Sequence, residues 1–334
     1  MWLFLSKRFP SRDLMSMLAF GLSFVLLLLL TACGGTTEQP KTKEGAAASE
    51  ENSGGESKTR TIRHVMGNTP IPAEPKRIVV LDNAALDNLL ALGVTPVGAA
   101  SVASFDEPFP SYLKGTEGIA KIGTIEQPNL EEIMRLKPDL IIGTKVEHEA
   151  IYDKLAKIAP TIFIENVGTA WKENLRLHAE AIGKKEEGKK LIAAYEQRIE
   201  QFRSRLGNRT IEIALLRPRT DHVRVYLTDS FSGIIAHEAG LARPESQAER
   251  GQQHVAMTEE QIADLDADVI LIFGREEEMG FFNEKILTNP IWKTLKAVKN
   301  QKVFYVSPET WLSGHGIQAA NLMLDDLEQF ILAP

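Results

Sequence analysis

The chain has 334 residues, 43% apolar and 25% charged, with a single cysteine and a formal net charge of −7. One cysteine excludes a disulfide framework, a cysteine-built zinc site and an iron–sulfur centre, and the acidic balance leaves no electrostatic footprint for nucleic acid. The length is enough for two lobes with a sizeable core.

Residues 1–13 carry Lys7, Arg8 and Arg12 against Asp13, and residues 14–32 are uncharged, with the apolar run Val25–Leu30 near their end. A basic start, an apolar stretch and small residues before a break predict a secretory signal over 1–32. The break reads Leu30-Thr31-Ala32-Cys33, followed by Gly34-Gly35. An uncleaved anchor is the competing reading, because a stretch of this length just spans a bilayer. Removing 1–32 takes away three bases and one acid, so the formal charge goes from −7 to −9. Gly34–Lys58 contains no Ile, Leu, Val or aromatic residue. That composition predicts a solvated tether over 33–58, with a reach on the order of 25–30 Å.

From residue 59 the pattern changes. Arg77–Leu81 is a β-branched run that reads as a buried strand, followed by Asp82-Asn83, a helical pattern through Leu86, Leu89, Leu90 and Leu92, and Gly93 as a stop. Val225–Thr228, Asp229-Ser230, Ile234-Ile235 and Gly240 repeat that order at an offset of 147. Asn129–Ile142 aligns with Thr258–Leu271 at an offset of 129. Each of these segments begins on an N-cap residue, has Glu132 or Gln261 three places on, and runs into an apolar strand after Asp139 or Asp268. Between the halves, Leu191, Ile192, Tyr195, Ile199, Phe202 and Leu206 hold helical spacing, predicting a rod of roughly 30 Å. The expected fold is α/β: two Rossmann-like lobes, 59–182 and 208–334, joined by one long helix over 183–207, with a ligand cleft between them.

Ligands of open α/β sheets sit beyond the carboxyl ends of the strands. At such ends stand Arg217, Arg219, Arg224 and Tyr226; Ser230 at the next helix start; Lys145 and His148; Trp171; and Trp311. Cations and aromatics gathered there in an acidic protein predict a cleft for a bulky anionic ligand. Arg224 alternates with Val223 and Val225, so a solvated strand face fits it equally well. His315, in Gly-His-Gly, reads as structural rather than as a metal ligand, and no residue is assigned to direct metal binding. Glu131 and Glu260 recur in both halves in the first turn after a cap, where the helix dipole favours an acid. Two matched carboxylates would also suit docking onto a two-fold partner with basic pockets. No GxSxG, HExxH, P-loop or strand-following GxGxxG is present, so the chain does not read as an enzyme.

Leu30–Cys33 resembles a bacterial lipobox. Ile71-Pro-Ala-Glu-Pro-Lys-Arg-Ile-Val-Val80, Leu92-Gly-Val-Thr-Pro-Val-Gly98, Asn129–Glu132 with Leu136–Gly143, and Ala319–Asp326 together resemble the substrate-binding lipoproteins of ABC importers for iron(III) siderophores. The resemblance covers essentially the whole mature chain. It implies lipid on Cys33, an anchor at the outer face of a Gram-positive cell membrane, a monomer with no covalent group beyond that lipid, and delivery of the siderophore to a permease. It also implies that Glu131 and Glu260 meet permease arginines. Arg219–Tyr226, Asp229–Gly233 and Thr310-Trp311 are similar to the ligand-contacting segments of members that serve citrate-derived siderophores, hydroxamate or carboxylate, ferric citrate included. Those members tend to carry an arginine within the segment Lys145–Asp153, where this chain has Glu147 beside His148. A heme or corrinoid binder of the same fold, a free-metal binder and a membrane-tethered enzyme are the rival readings.

Overall fold

The computed structural model describes residues 59–102, 107–248 and 250–332. The predicted signal, Cys33 and the predicted tether lie outside the described residues. A hairpin of β1 (Thr59–His64) and β2 (Gly67–Pro72) precedes the first lobe. That lobe runs β3 (Ile78–Val80), α1 (Asn83–Ala91), β4 (Gly98–Ser101), β5 (Ala120–Thr124), α2 (Leu130–Arg135), β6 (Leu140–Thr144), α3 (Lys145–His148), α4 (Tyr152–Ala156), β7 (Thr161–Ile164) and α5 (Trp171–Ala181). Its sheet is parallel throughout, in the order β5-β4-β3-β6-β7. Strands β3, β6 and β7 are buried at every position, which is why they read as continuous apolar runs rather than as alternating ones.

Helix α6 (Lys185–Leu206) connects the lobes and buries Ile192, Tyr195, Ile199, Phe202 and Leu206, the stripe its spacing predicts. Gly188 lets it lie tight on α5, because a Cβ there would meet the Ala179 Cβ at 2.5 Å. The second lobe contains β8 (Ile213–Pro218), β9 (Val223–Tyr226), α7 (Phe231–Glu238), β10 (His254–Met257), β11 (Val269–Ile272), α8 (Lys296–Lys299), β12 (Val303–Tyr305), α9 (Pro308–Trp311) and α10 (Ile317–Leu327). Its sheet order is β10-β9-β8-β11-β12; β9 runs antiparallel to both β8 and β10.

The offset-129 repeat places β6 and β11 at matching sheet positions, each beside the central strand. The offset-147 repeat does not hold in the same way. It pairs β3, central and parallel, with β9, which is antiparallel and one position out. The helix caps differ too. Asp82 caps α1 by accepting the Ala85 N–H at 2.8 Å, whereas Ser230 rather than Asp229 caps α7.

Three apolar clusters build the core. The largest joins both lobes, with Leu86 and Leu89 of α1, Trp171 of α5, Tyr195 and Phe202 of α6, and Met323 and Leu324 of α10 in one body. Two smaller clusters lie on the far faces of the two sheets, one around Ile141 and Phe163, the other around Ile270 and Trp292. Polar contacts cross between the lobes as well. Asp87 of α1 accepts the Gln318 and Ala319 N–H groups of α10 at 2.8 and 3.0 Å, and Asn88 accepts that of Ile317 at 3.1 Å. The amino end of a second-lobe helix is thereby capped by the first lobe.

Candidate functional site

At the carboxyl ends of the central strands the lobes enclose a cavity of about 330 Å³. The first lobe contributes Asp82 and Asn83 after β3, Thr144 at the end of β6, Val146 and Glu147 of α3, and Asn166 after β7. The second contributes Tyr226, Ser230, Phe231 and Gln253 on one side and Trp311, Ser313 and His315 on the other. Polar groups set in a mostly apolar wall match the general character of a small-molecule site.

Three predicted ligand residues line this cavity. Trp311 is 2% exposed, stacks on Phe273 at 6.3 Å, and donates its Nε1–H to Asp326 at 2.7 Å, so one face of the ring forms wall. Tyr226 packs edge-on against Phe273 and His254 at 5.1 and 5.5 Å. Ser230 donates to the Leu227 carbonyl at 2.7 Å and accepts the Gly233 N–H at 2.9 Å, so its hydroxyl is taken up by the cap.

The other predicted ligand residues are placed elsewhere. Trp171 is 1% exposed and sits edge-on between Tyr195 and Phe231, in the core shared by the lobes. His148 is fully buried: its Nδ1 accepts the Thr144 N–H at 3.1 Å and its Nε2 donates to the Ile125 carbonyl at 2.8 Å, leaving neither ring nitrogen for a ligand. Lys145 pairs with Glu165 at 3.6 Å outside the cavity lining.

The arginines form a cluster of their own. Arg217 reaches Glu278 through Nη2 at 2.6 Å and Nε at 3.3 Å, Arg275 reaches the same carboxylate at 3.1 Å, and Arg219 donates to it as well. Burial acts to raise the Glu278 carboxyl, but hydrogen bonds from Arg217 and Arg275 carry it down to about 2. Burial likewise acts to lower Arg217, and its bonds to Glu278 and Tyr226 outweigh that, so its pKa is raised. Arg224 faces Arg217 in register across β8 and β9 and has no carboxylate partner among the described residues. The expected guanidinium grip inside the crevice is therefore corrected. The cluster stands behind Tyr226, tied to a carboxylate of the same chain, and no lysine or arginine is among the residues lining the cavity.

Glu131 and Glu260 are both exposed, each in the first turn of an element that starts at the carboxyl edge of its sheet. Asn129 accepts the Glu131 N–H at 3.0 Å, and Thr258 with Gln261 completes a capping box.

Phe231, within the segment Asp229–Gly233, is in the wall, and so is His315, which reads as structural from the sequence; two further wall residues, Asp82 and Asn83, were not singled out as ligand contacts from the sequence, and Glu147 was noted there only as a departure from the family. The signal for Asp82 and Asn83 was present, since they directly follow a buried strand and open a helix. Burial raises the Asp82 carboxyl to about 6 and lowers His315 to about 4. Among the described residues, no group of three or more His, Cys, Asp or Glu side chains comes together to hold a metal, and no helix is long and apolar enough to cross a membrane.

Residues 78–310 match the family model described as periplasmic binding protein. The probable siderophore-binding lipoprotein YfiY of Bacillus subtilis is 43% identical over 289 residues, covering 83% of this chain and 89% of that protein. The Fe(3+)-citrate-binding protein YfmC of the same organism is 32% identical, over 83% and 88% of the two chains. Staphylococcus aureus SirA, solved in complex with staphyloferrin B, superposes with a TM-score of 0.74 at 30% identity, covering 82% of this chain and 98% of its own.

Proposed function

The chain belongs to the periplasmic binding protein family, and from that premise we propose that it is the solute-binding lipoprotein of an ABC importer, capturing an iron(III) siderophore and handing it to a membrane permease. The observation that carries this reading is the cavity closed by the carboxyl ends of both sheets, in a chain 43% identical to a probable siderophore-binding lipoprotein. The siderophore fills the iron's coordination shell, so the protein binds the organic surface of the chelate and supplies no metal ligand.

The wall divides this work. Trp311 and Phe231 offer apolar faces, suited to the carbon skeleton of the chelate. Tyr226 marks the side backed by Arg217 and Arg224. Three guanidinium groups share Glu278, and Arg224 adds a further charge. Arg275 also pairs with Glu277, so the charge left to draw an anionic chelate to the second-lobe rim is chiefly that of Arg224. In this reading Cys33 carries the lipid, the protein sits at the outer face of the cell membrane as a monomer, and Glu131 and Glu260 meet basic pockets of the permease.

Titration of the protein by tryptophan fluorescence with ferric citrate, ferric citrate hydroxamates, a ferric catecholate and heme tests the reading. Saturable quenching by one ferric siderophore is expected. A Soret band on mixing with heme, with no response to any ferric siderophore, would replace it with a heme-binding role.

A further inference from the structure

The two elements that carry the docking acids are seated differently. Helix α2, which bears Glu131, has no slack beneath it: a Cβ at Gly98 would lie 2.5 Å from Leu136 Cδ1, and one at Gly123 would lie 2.5 Å from the Gln127 carbonyl oxygen. The turn Glu259–Leu265, which bears Glu260, stands over a cavity of about 60 Å³ with Val225, Gln247, Val255, Met257, Gln261 and Leu265 in its wall. Strand β10 joins this turn to the ligand cavity. It follows Gln253 of the cavity wall, runs as an edge strand beside β9, and delivers the chain to Thr258, the cap of the Glu260 turn.

A polar relay runs the same way. Arg243 Nη2 donates to the carbonyl of Tyr226, a residue of the ligand-cavity wall, and to Gln247 Oε1 at 3.2 Å. Gln247 is 2% exposed and donates its Nε2–H to the Asp264 carbonyl at 3.0 Å, inside the Glu260 turn. Holding this relay is unfavourable for Arg243. Its Nε and Nη1 are buried with no hydrogen-bond partner among the described residues, and burial lowers its pKa to about 9. Packing alone would be better served by an apolar side chain there.

Resting on the siderophore reading above, in which the cleft holds the chelate and Glu260 meets the permease, we infer that Arg243 and Gln247 are positioning residues that couple the Tyr226 wall to the Glu260 turn. Filling the cleft fixes Tyr226 and Gln253. The relay and β10 carry that constraint to the turn, which the small cavity otherwise leaves room to move. The second-lobe tip thus registers cargo, while the tightly seated first-lobe tip is the same in both states. Such coupling is reciprocal, so a permease that grips Glu260 acts back on the cavity wall by the same route.

Backbone hydrogen exchange of the intact protein tests the coupling in the wild type, Arg243→Met and Gln247→Leu. Each is measured empty and with saturating ferric citrate, ferric schizokinen (a citrate hydroxamate) or a ferric catecholate. With whichever chelate binds, wild-type residues 258–266 should exchange about ten-fold more slowly when loaded, with little change at 129–137. Both variants should still bind, and their loaded and empty rates at 258–266 should converge. Gln247 lies outside the ligand-cavity wall, so Gln247→Leu carries the comparison if Arg243→Met fails to fold or to bind. A merely structural role for the pair would speed exchange equally in both states and preserve the ratio, which overturns the inference. A wild-type turn indifferent to ligand, or an equal response at both tips, overturns it too and leaves the siderophore reading standing. Binding of none of the three chelates by the wild type overturns the siderophore reading itself.

Discussion

The carboxyl group of Asp87 occupies the space that a side chain at Gly316 would need: a Cβ on that glycine would lie 2.4 Å from Asp87 Cγ. The contact joins the lobes at the base of the cleft, with the Tyr112 hydroxyl donating to the same carboxyl at 3.0 Å. Asp87→Ala strips the cap from α10 and leaves two helix N–H groups unpaired. It is expected to cost about 2–4 kcal/mol in urea unfolding. Gly316→Ala forces the two elements apart and should destabilise by a similar amount; wild-type midpoints for both variants would refute the pin.

Asp87 also predicts a pH dependence. Burial raises its carboxyl from 3.8 to about 6, against the pull of the Gln318, Ala319 and Tyr112 donors. A raised folded-state pKa gives stability that is fully present below the unfolded value and lost as pH rises through 6, here about 3 kcal/mol. His178 works in the other direction. Burial lowers it from 6.5 to about 4, so its contribution grows as pH rises over that interval. Comparison with Asp87→Asn isolates the carboxyl: the stability of the wild type relative to the variant should fall between pH 4 and pH 7. A flat difference contradicts the assignment.

Glu278 makes the opposite prediction at lower pH. Its depressed pKa gives stability that is complete above 4.5 and lost as pH falls toward 2. Glu278→Ala leaves Arg217, Arg219 and Arg275 facing one another, and is expected to cost about 3–5 kcal/mol. The variant's unfolding curve should also be flatter than that of the wild type between pH 4.5 and pH 2.

Trp171 and Trp311 separate by role. Trp171→Phe opens space between Tyr195 and Phe231 and should cost about 1–3 kcal/mol, with ligand affinity unchanged. Trp311→Phe should remove most of the ligand-induced quench of fluorescence. Quenching that persists in Trp311→Phe and vanishes in Trp171→Phe would reverse this placement.

Charge reversal at the docking acids reads out in cells. Glu131→Lys with Glu260→Lys is expected to cut siderophore uptake about ten-fold or more, with titrated affinity for the ligand unchanged. Full uptake by the double variant rules out these two carboxylates as the permease contacts.

Much of the architecture is legible in local pattern. The stripe on α6 is a matter of period, and the capped segment before β6 recurs before β11 because the same job is done twice. Strand direction has no such local signature, which is why β9 read as a copy of β3 although it runs the other way. The binding wall was harder for a related reason. Arg217 looked free because Glu278 lies 61 residues away, and Trp171 looked available because its burial depends on α6 and α7 closing over it. Asp82 and Asn83 were visible as a cap, but only the folded chain shows that each keeps one oxygen without a hydrogen bond among the described residues.

The apolar body formed by α1, α5, α6 and α10 is the property of neither half. Chimeras between relatives should therefore survive only when all four helices descend from one parent, and calorimetry of the intact protein should trace a single endotherm. A core shared in this way opposes large rotations of one lobe against the other, as in a vise whose jaws are cast from one piece.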